Sequence, residues 1–128
     1  MDCSYLAGGL AAWHRYLIIT SQARDLHALA GMDPRYGPAI IRRDGFFKVL
    51  DVYWLRGRAQ ITLLHVPEEL VGHLRTLEPN EMERELVQAT RTNFEENLVN
   101  PAVPALTEAE WLERTAFPLG MSEEGDLF

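Results

Sequence analysis

The alternation of apolar and polar residues is clearest between Ala39 and Val66, and it predicts strands there. Three runs rich in Val, Ile, Phe, Tyr and Trp cover Ala39–Arg43, Phe46–Leu55 and Arg58–Val66. Asp44-Gly45 and Arg56-Gly57 separate them. Both central residues of a type I′ turn need positive φ, which makes Asp-Gly a strong hairpin signal and Arg-Gly a weaker one. The segment therefore predicts a three-stranded antiparallel meander.

Two-residue turns also predict the register. Trp54 is expected opposite Ala59, Val52 opposite Ile61 and Leu50 opposite Leu63, with Phe46 and Ile41 on the same side. That face is apolar enough to be read as the core. The other face would carry Asp51 near Thr62, Tyr53 near Gln60 and Leu55 near Arg58, with Ile40, Phe47, Val49 and Leu64 at its far end.

On either side of the meander the pattern shifts to helical spacing. Ser4 is a candidate N-cap, followed by Leu6, Leu10, Trp13 and Leu17. Gly8 and Gly9 weaken that helix by about 1 kcal/mol each relative to Ala. Ile18-Ile19-Thr20 could end it or form a short strand. Ser21 can cap a second piece through Leu26 and Leu29, stopped by Gly31. Beyond Val66, Pro67 with Glu68 and Glu69 opens a helix carrying Leu70, Val71, Leu74 and Leu77. Pro79 starts another, with Met82, Leu86, Ala89, Phe94 and Leu98, ended by Asn100-Pro101. Thr107-Glu108-Ala109-Glu110 fits a capping box before Trp111 and Leu112, and Phe117-Pro118 closes that last helix. The expected architecture is α+β in a single domain over 1–128. It has an N-terminal helix or two, the meander, and three C-terminal helices packed on the sheet. The acidic tail from Ser122 is expected to fray.

Charge divides the chain at the same place. Eight Lys/Arg face five Asp/Glu through Val66, and four Arg face fourteen Asp/Glu from Pro67 onward. The net charge of −7 thus comes from the helical half. At 128 residues with 47% hydrophobic content, the chain is large enough to bury a core without metal or disulfide support. A single cysteine, Cys3, excludes an intramolecular disulfide. No secretory pattern opens the chain, and no apolar run approaches the ~18 residues of a membrane span, so a cytoplasmic protein without membrane association is expected.

Chemistry-bearing patterns are few. His65, Glu69 and His73 are spaced by four, but Pro67 separates the strand from the helix and breaks the alignment, so no metal site is expected. Cys3, Ser4, Ser21 and Ser122 lack the surroundings of an activated nucleophile. Gly8-Gly9 has no phosphate-loop spacing, and no cofactor is expected. Asp51 is disfavoured mid-strand. With Tyr53, Gln60 and Thr62 it forms a polar cluster that, under a helix, would suit a small metal-independent acid–base enzyme or ligand-binding site. The plainer reading is an Asp51–Thr62 hydrogen bond on a solvated face.

Arg42, Arg43 and Lys48 sit at one end of the meander and Arg56 and Arg58 at the other, so they build no single patch. This arrangement and the negative charge disfavour direct nucleic-acid binding. Glu81, Glu83, Glu85, Glu95 and Glu96 crowd one helix, offset by Arg84 and Arg91. A field of that sign steers basic partners. The leading expectation is a protein-binding or regulatory module for a basic partner, in its sharpest form an inhibitor or mimic occupying a nucleic-acid-binding surface. The same acids could instead meet the basic half of another copy and give a homo-oligomer.

Overall fold

The computed structural model describes residues 2–6, 8–26, 33–41, 45–75 and 78–115. In chain order the elements are β1 (Asp2–Ser4), β2 (His14–Ile19), β3 (Arg24–Asp25), a 3-10 turn at Pro34–Tyr36, β4 (Pro38–Ile40), β5 (Gly45–Leu55) and β6 (Arg58–Pro67). A 3-10 helix at Glu68–Arg75, α1 (Glu81–Asn97), a 3-10 turn at Pro104–Thr107 and α2 (Ala109–Thr115) follow. The contacts fall into two compact units, one of Met1–Ala7, Gln22–Arg43 and Ala102–Phe128, the other of Gly8–Ser21 and Asp44–Pro101.

The first unit is built on a small antiparallel sheet of order β1-β4-β3. Tyr36, Pro38, Ala39, Ile41 and Trp111 are buried in it, and the Tyr36 and Trp111 rings stack with centroids 5.0 Å apart. Glu108 joins its pieces by accepting from Tyr36 Oη at 2.8 Å and from Arg35 Nη1 at 2.9 Å. Gly37 is required at the turn into β4. Its φ is +52°, and a Cβ there would meet Leu6 Cγ at 2.5 Å.

The second unit holds a mixed sheet of order β2-β6-β5, in which β2 runs parallel to β6 and β5 antiparallel to it. The turn between β5 and β6 is the one read at Arg56-Gly57. Arg56 has φ +51° and Gly57 φ +73°, as a type I′ turn demands. The register follows: Leu55 opposite Arg58, Trp54 opposite Ala59, Tyr53 opposite Gln60, Val52 opposite Ile61 and Asp51 opposite Thr62. A bulge then intervenes, and Leu63 pairs with Val49 rather than with Leu50. α1 covers one face of this sheet. Asn80 caps it, accepting from Glu83 N, and Glu83 returns the bond to Asn80 N, a capping box.

The expected architecture is overturned in three places. The N-terminal helices are strands β1, β2 and β3. The spacing of Leu6, Leu10, Trp13 and Leu17 mimics a helix, but Gly8-Gly9 opposes one and Tyr16, Ile18 and Ile19 favour a strand. Ser4 caps no helix: its Oγ donates to Tyr36 O at 2.6 Å and accepts from Leu6 N at 3.0 Å. The expected second helix partly falls on residues 27–32, outside the described residues.

The meander is not formed either. β4 pairs with β1 and β3, and the third strand beside the β5–β6 hairpin is β2. Asp44, together with Arg42 and Arg43, lies outside the described residues. Of the three expected C-terminal helices, two are α-helical, and Glu68–Arg75 is a 3-10 helix. The last helix begins at Ala109, while Thr107 Oγ1 donates back to Pro104 O at 2.7 Å rather than capping forward. Phe117-Pro118 and the tail from Ser122 lie outside the described residues.

The assignment of sheet faces is also inverted along β5. On the face read as core, Val52 and Trp54 are 51% and 68% exposed, whereas Ala59 and Leu63 of β6 are buried; Val49, read on the other face, is brought beside them by the bulge and is 58% exposed. Phe46, read as part of the same core, is 50% exposed. The face carrying Asp51, Tyr53, Gln60 and Thr62 is the one under α1, because that helix supplies partners for their polar groups.

Candidate functional site

The four residues singled out on the second sheet face do come together. Asp51 and Thr62 are cross-strand neighbours, as are Tyr53 and Gln60. Above them lies the inward side of the 17-residue α1, with Glu83, Thr90, Arg91 and Phe94. The periodicity of Met82, Leu86, Ala89, Phe94 and Leu98 made this helix legible. Its polar inward residues were not singled out as partners of the sheet.

Asp51 accepts from Arg91 Nε at 2.8 Å and Nη2 at 2.6 Å, a two-pronged ion pair with the carboxylate side chain only 10% exposed. The hydrogen bond to Asp51 pushes the Arg91 guanidinium above its ordinary value, against the opposing effect of burial, with the Asp51 charge adding to it. Arg91 also lies over the Tyr53 ring, 4.7 Å from its centroid. The Tyr53 hydroxyl donates to Glu95 Oε1 at 2.6 Å. That bond, followed by burial and the Glu95 charge, pushes the phenol up, so it stays protonated at neutral pH.

Gln60 is fully buried and used at both ends. Its Oε1 accepts from Arg15 Nε at 2.8 Å, and its Nε2 donates to Thr90 O at 3.0 Å. Arg15 comes from β2, lies over Phe94 and donates to Asn93 Oδ1 at 3.2 Å; burial pushes its guanidinium down. Thr62 is fully buried as well, and its Oγ1 has no hydrogen-bond partner among the described residues.

At the other end of the hairpin, Lys48 Nζ donates to both carboxylate oxygens of Glu83, at 3.0 and 2.8 Å. Both side chains are nearly buried, 13% and 7% exposed. Burial pushes the Glu83 carboxyl up, but hydrogen bonds from Lys48 and from Asn80 N–H, with the Lys48 charge, outweigh it and hold the group below its ordinary value.

The five acids of α1 divide accordingly. Glu83 faces inward and is consumed by Lys48 and the cap. Glu95 is exposed but tied to Tyr53. Glu81, Glu85 and Glu96 are exposed on the outward side, where helical spacing lines them up with Gln88 and Thr92. A shallow depression of about 440 Å³ beside this stripe is lined by Asn80, Glu81, Met82 and Glu85.

His65 is buried on β6, with Nδ1 2.9 Å from Thr20 Oγ1 and its ring 5.2 Å from Phe47. Its Nε2 has no hydrogen-bond partner among the described residues. Among those residues, no group of three His, Cys, Asp or Glu is placed to hold a metal, and no helix is long and apolar enough to cross a membrane.

The basic residues expected to spread over the first half are partly drawn inward. Lys48 is paired with Glu83, and Arg15 with Gln60. Arg58 donates to Ala12 O at 2.8 Å and lies over the Trp13 ring. Sequence reasoning missed Arg15, Lys48 and Arg91 as structural partners. The signal for Arg91 was a base three residues before Phe94 on the helix, which needs a carboxylate when it faces a sheet. In comparisons with known proteins, no family, no curated protein and no solved structure matches the chain.

Proposed function

We propose that this chain is a protein-binding or regulatory module that engages a basic partner through the outward side of α1. One observation carries the reading. Two bases beside the helix are used internally, Arg91 on Asp51 and Lys48 on Glu83, which leaves Glu81, Glu85 and Glu96 as a stripe of exposed acids with the exposed Arg84 at its side. Such a stripe raises the encounter rate with a positive surface and repels nucleic acid. In its sharper form, the module occupies a surface on its partner that otherwise binds nucleic acid.

The polar layer under α1 supports this reading from the other side. Asp51 and Tyr53 bond to the helix, and Gln60 divides its bonds between Arg15 of β2 and Thr90 O of the helix, so their geometry serves to fix α1 and hold its outward side in place. The test is affinity capture with the full chain and with a Glu81→Lys/Glu85→Lys/Glu96→Lys variant, both verified as folded. A basic protein retained by the first, lost with the second and displaced by added nucleic acid is the expected result. Retention that survives the triple reversal would sink the proposal. Loss on reversal without displacement by nucleic acid would remove only the mimic form.

A further inference from the structure

β5 is the outermost strand of its sheet, 11 residues long, and among the described residues no strand pairs with its outer edge. Long edges that expose apolar side chains invite pairing. Here the exposed apolar side chains are Phe46, Val49, Val52 and Trp54. The bulge between Val49 and Asp51 has a specific consequence. The extra residue resets the alternation, so Phe47, Val49, Val52 and Trp54 all share the face away from α1. About a midpoint at Leu50–Asp51 these four positions are symmetric, Val49 mirroring Val52 and Phe47 mirroring Trp54.

The helix layer has the same symmetry. Arg91 and Glu95 reach Asp51 and Tyr53 of β5, so the flank of α1 beside the free edge is the stripe Arg84, Gln88, Arg91 and Glu95. Read backwards, Arg84 mirrors Glu95 and Gln88 mirrors Arg91. The midpoint of that stripe lies between Glu83, which meets Lys48, and Arg91, which meets Asp51. It therefore stands over the bulge. Arg84 is exposed, and its guanidinium hydrogen-bonds to the Pro79 carbonyl at 2.7 Å.

We infer that a second copy of this chain pairs antiparallel along β5, about a two-fold axis through the Leu50–Asp51 bulge. The pair extends the sheet to β2-β6-β5-β5-β6-β2. It sets Val49 against Val52 of the second copy and Phe47 against Trp54 of the second copy. Arg84 meets Glu95 of the second copy, an attraction made twice because the interface is isologous. Neighbouring strands about 4.8 Å apart, each with its helix set slightly inboard, place the two α1 helices at roughly the 8–10 Å of packed helices. The contact is made by Arg84 and Glu95 rather than by Glu81, Glu85 and Glu96, so the inference does not rest on the basic-partner reading.

Sedimentation equilibrium of the full chain gives the test. The wild type should show twice the monomer mass of 14.6 kDa. Arg84→Glu and Glu95→Arg should each weaken the dimer about tenfold or more by setting like charges together. Mixing the two variants should restore it, because both cross-pairs become attractive. Val52→Lys, at a side chain that is 51% exposed, should dissociate the dimer even if Glu95→Arg proves poorly folded. A monomeric wild type, a dimer indifferent to Arg84→Glu and Val52→Lys, or two folded charge variants that fail to recombine would each overturn the inference.

Discussion

Along β5 the two faces of the sheet are buried in the reverse order of their hydrophobicity. One carries Lys48, Asp51, Tyr53, Gln60 and Thr62 and lies under α1. The other carries Val49, Val52 and Trp54 and is open along β5. The difference teaches that a polar face can be the inner one when its neighbour brings matched partners. An unpaired buried polar group is costly, and a paired one is tolerated. Glu83, Thr90, Arg91 and Glu95 supply the partners.

The largest effect should come from breaking the most buried of these pairs. Lys48→Ala leaves the Glu83 carboxylate without its cation and should cost about 3 kcal/mol in denaturant unfolding. Replacing both residues, Lys48→Met with Glu83→Leu, should recover most of that loss because no charge is stranded. The same pair predicts a pH dependence. The folded Glu83 value lies below the ordinary 4.5, so its contribution is complete above that value and is lost as pH falls through the folded one. In Glu83→Gln, the acid limb of the stability–pH curve should flatten, as urea midpoints taken across the acid range will show.

A smaller effect is expected at the second pair. Arg91→Ala removes both hydrogen bonds to Asp51, but the Arg91 side chain is 39% exposed, so a loss of about 1–2 kcal/mol is expected. An unchanged midpoint would mean that this face is not held by its ion pairs. The smallest change sharpens the comparison from the opposite direction. Thr62→Val keeps the shape and removes a buried hydroxyl that has no partner among the described residues. It should leave stability unchanged or raise it by up to about 1 kcal/mol by thermal or denaturant unfolding.

The legible parts of this fold are those encoded locally. Arg56-Gly57 announced its turn, and the turn carried the register from Leu55–Arg58 through Asp51–Thr62. The run from Pro79 to Asn100 announced α1, whose observed span of Glu81–Asn97 lies inside it. The juxtaposition of Asp51, Tyr53, Gln60 and Thr62 followed from that register alone. What lay hidden depends on residues far apart in the chain. β2 is held by parallel pairing to β6 more than forty positions away, and nothing near His14–Ile19 encodes that partner. The choice of inner face rests on Arg91 meeting Asp51 across 40 positions and Glu83 meeting Lys48 across 35. The bulge at Leu50 has no signal of its own in the alternation, which continues on either side of it.

The same helix then presents two opposite characters, bonded carboxylates and bases inward and exposed carboxylates outward. The most direct test of the functional claim is the affinity of the captured basic partner for the wild type and for Glu81→Gln/Glu85→Gln/Glu96→Gln, measured at low and at raised salt. The account predicts that neutralising the three acids weakens binding about tenfold at low salt and makes it less salt-dependent, with the unfolding midpoint unchanged. Equal affinity and equal salt dependence in the two proteins would contradict it.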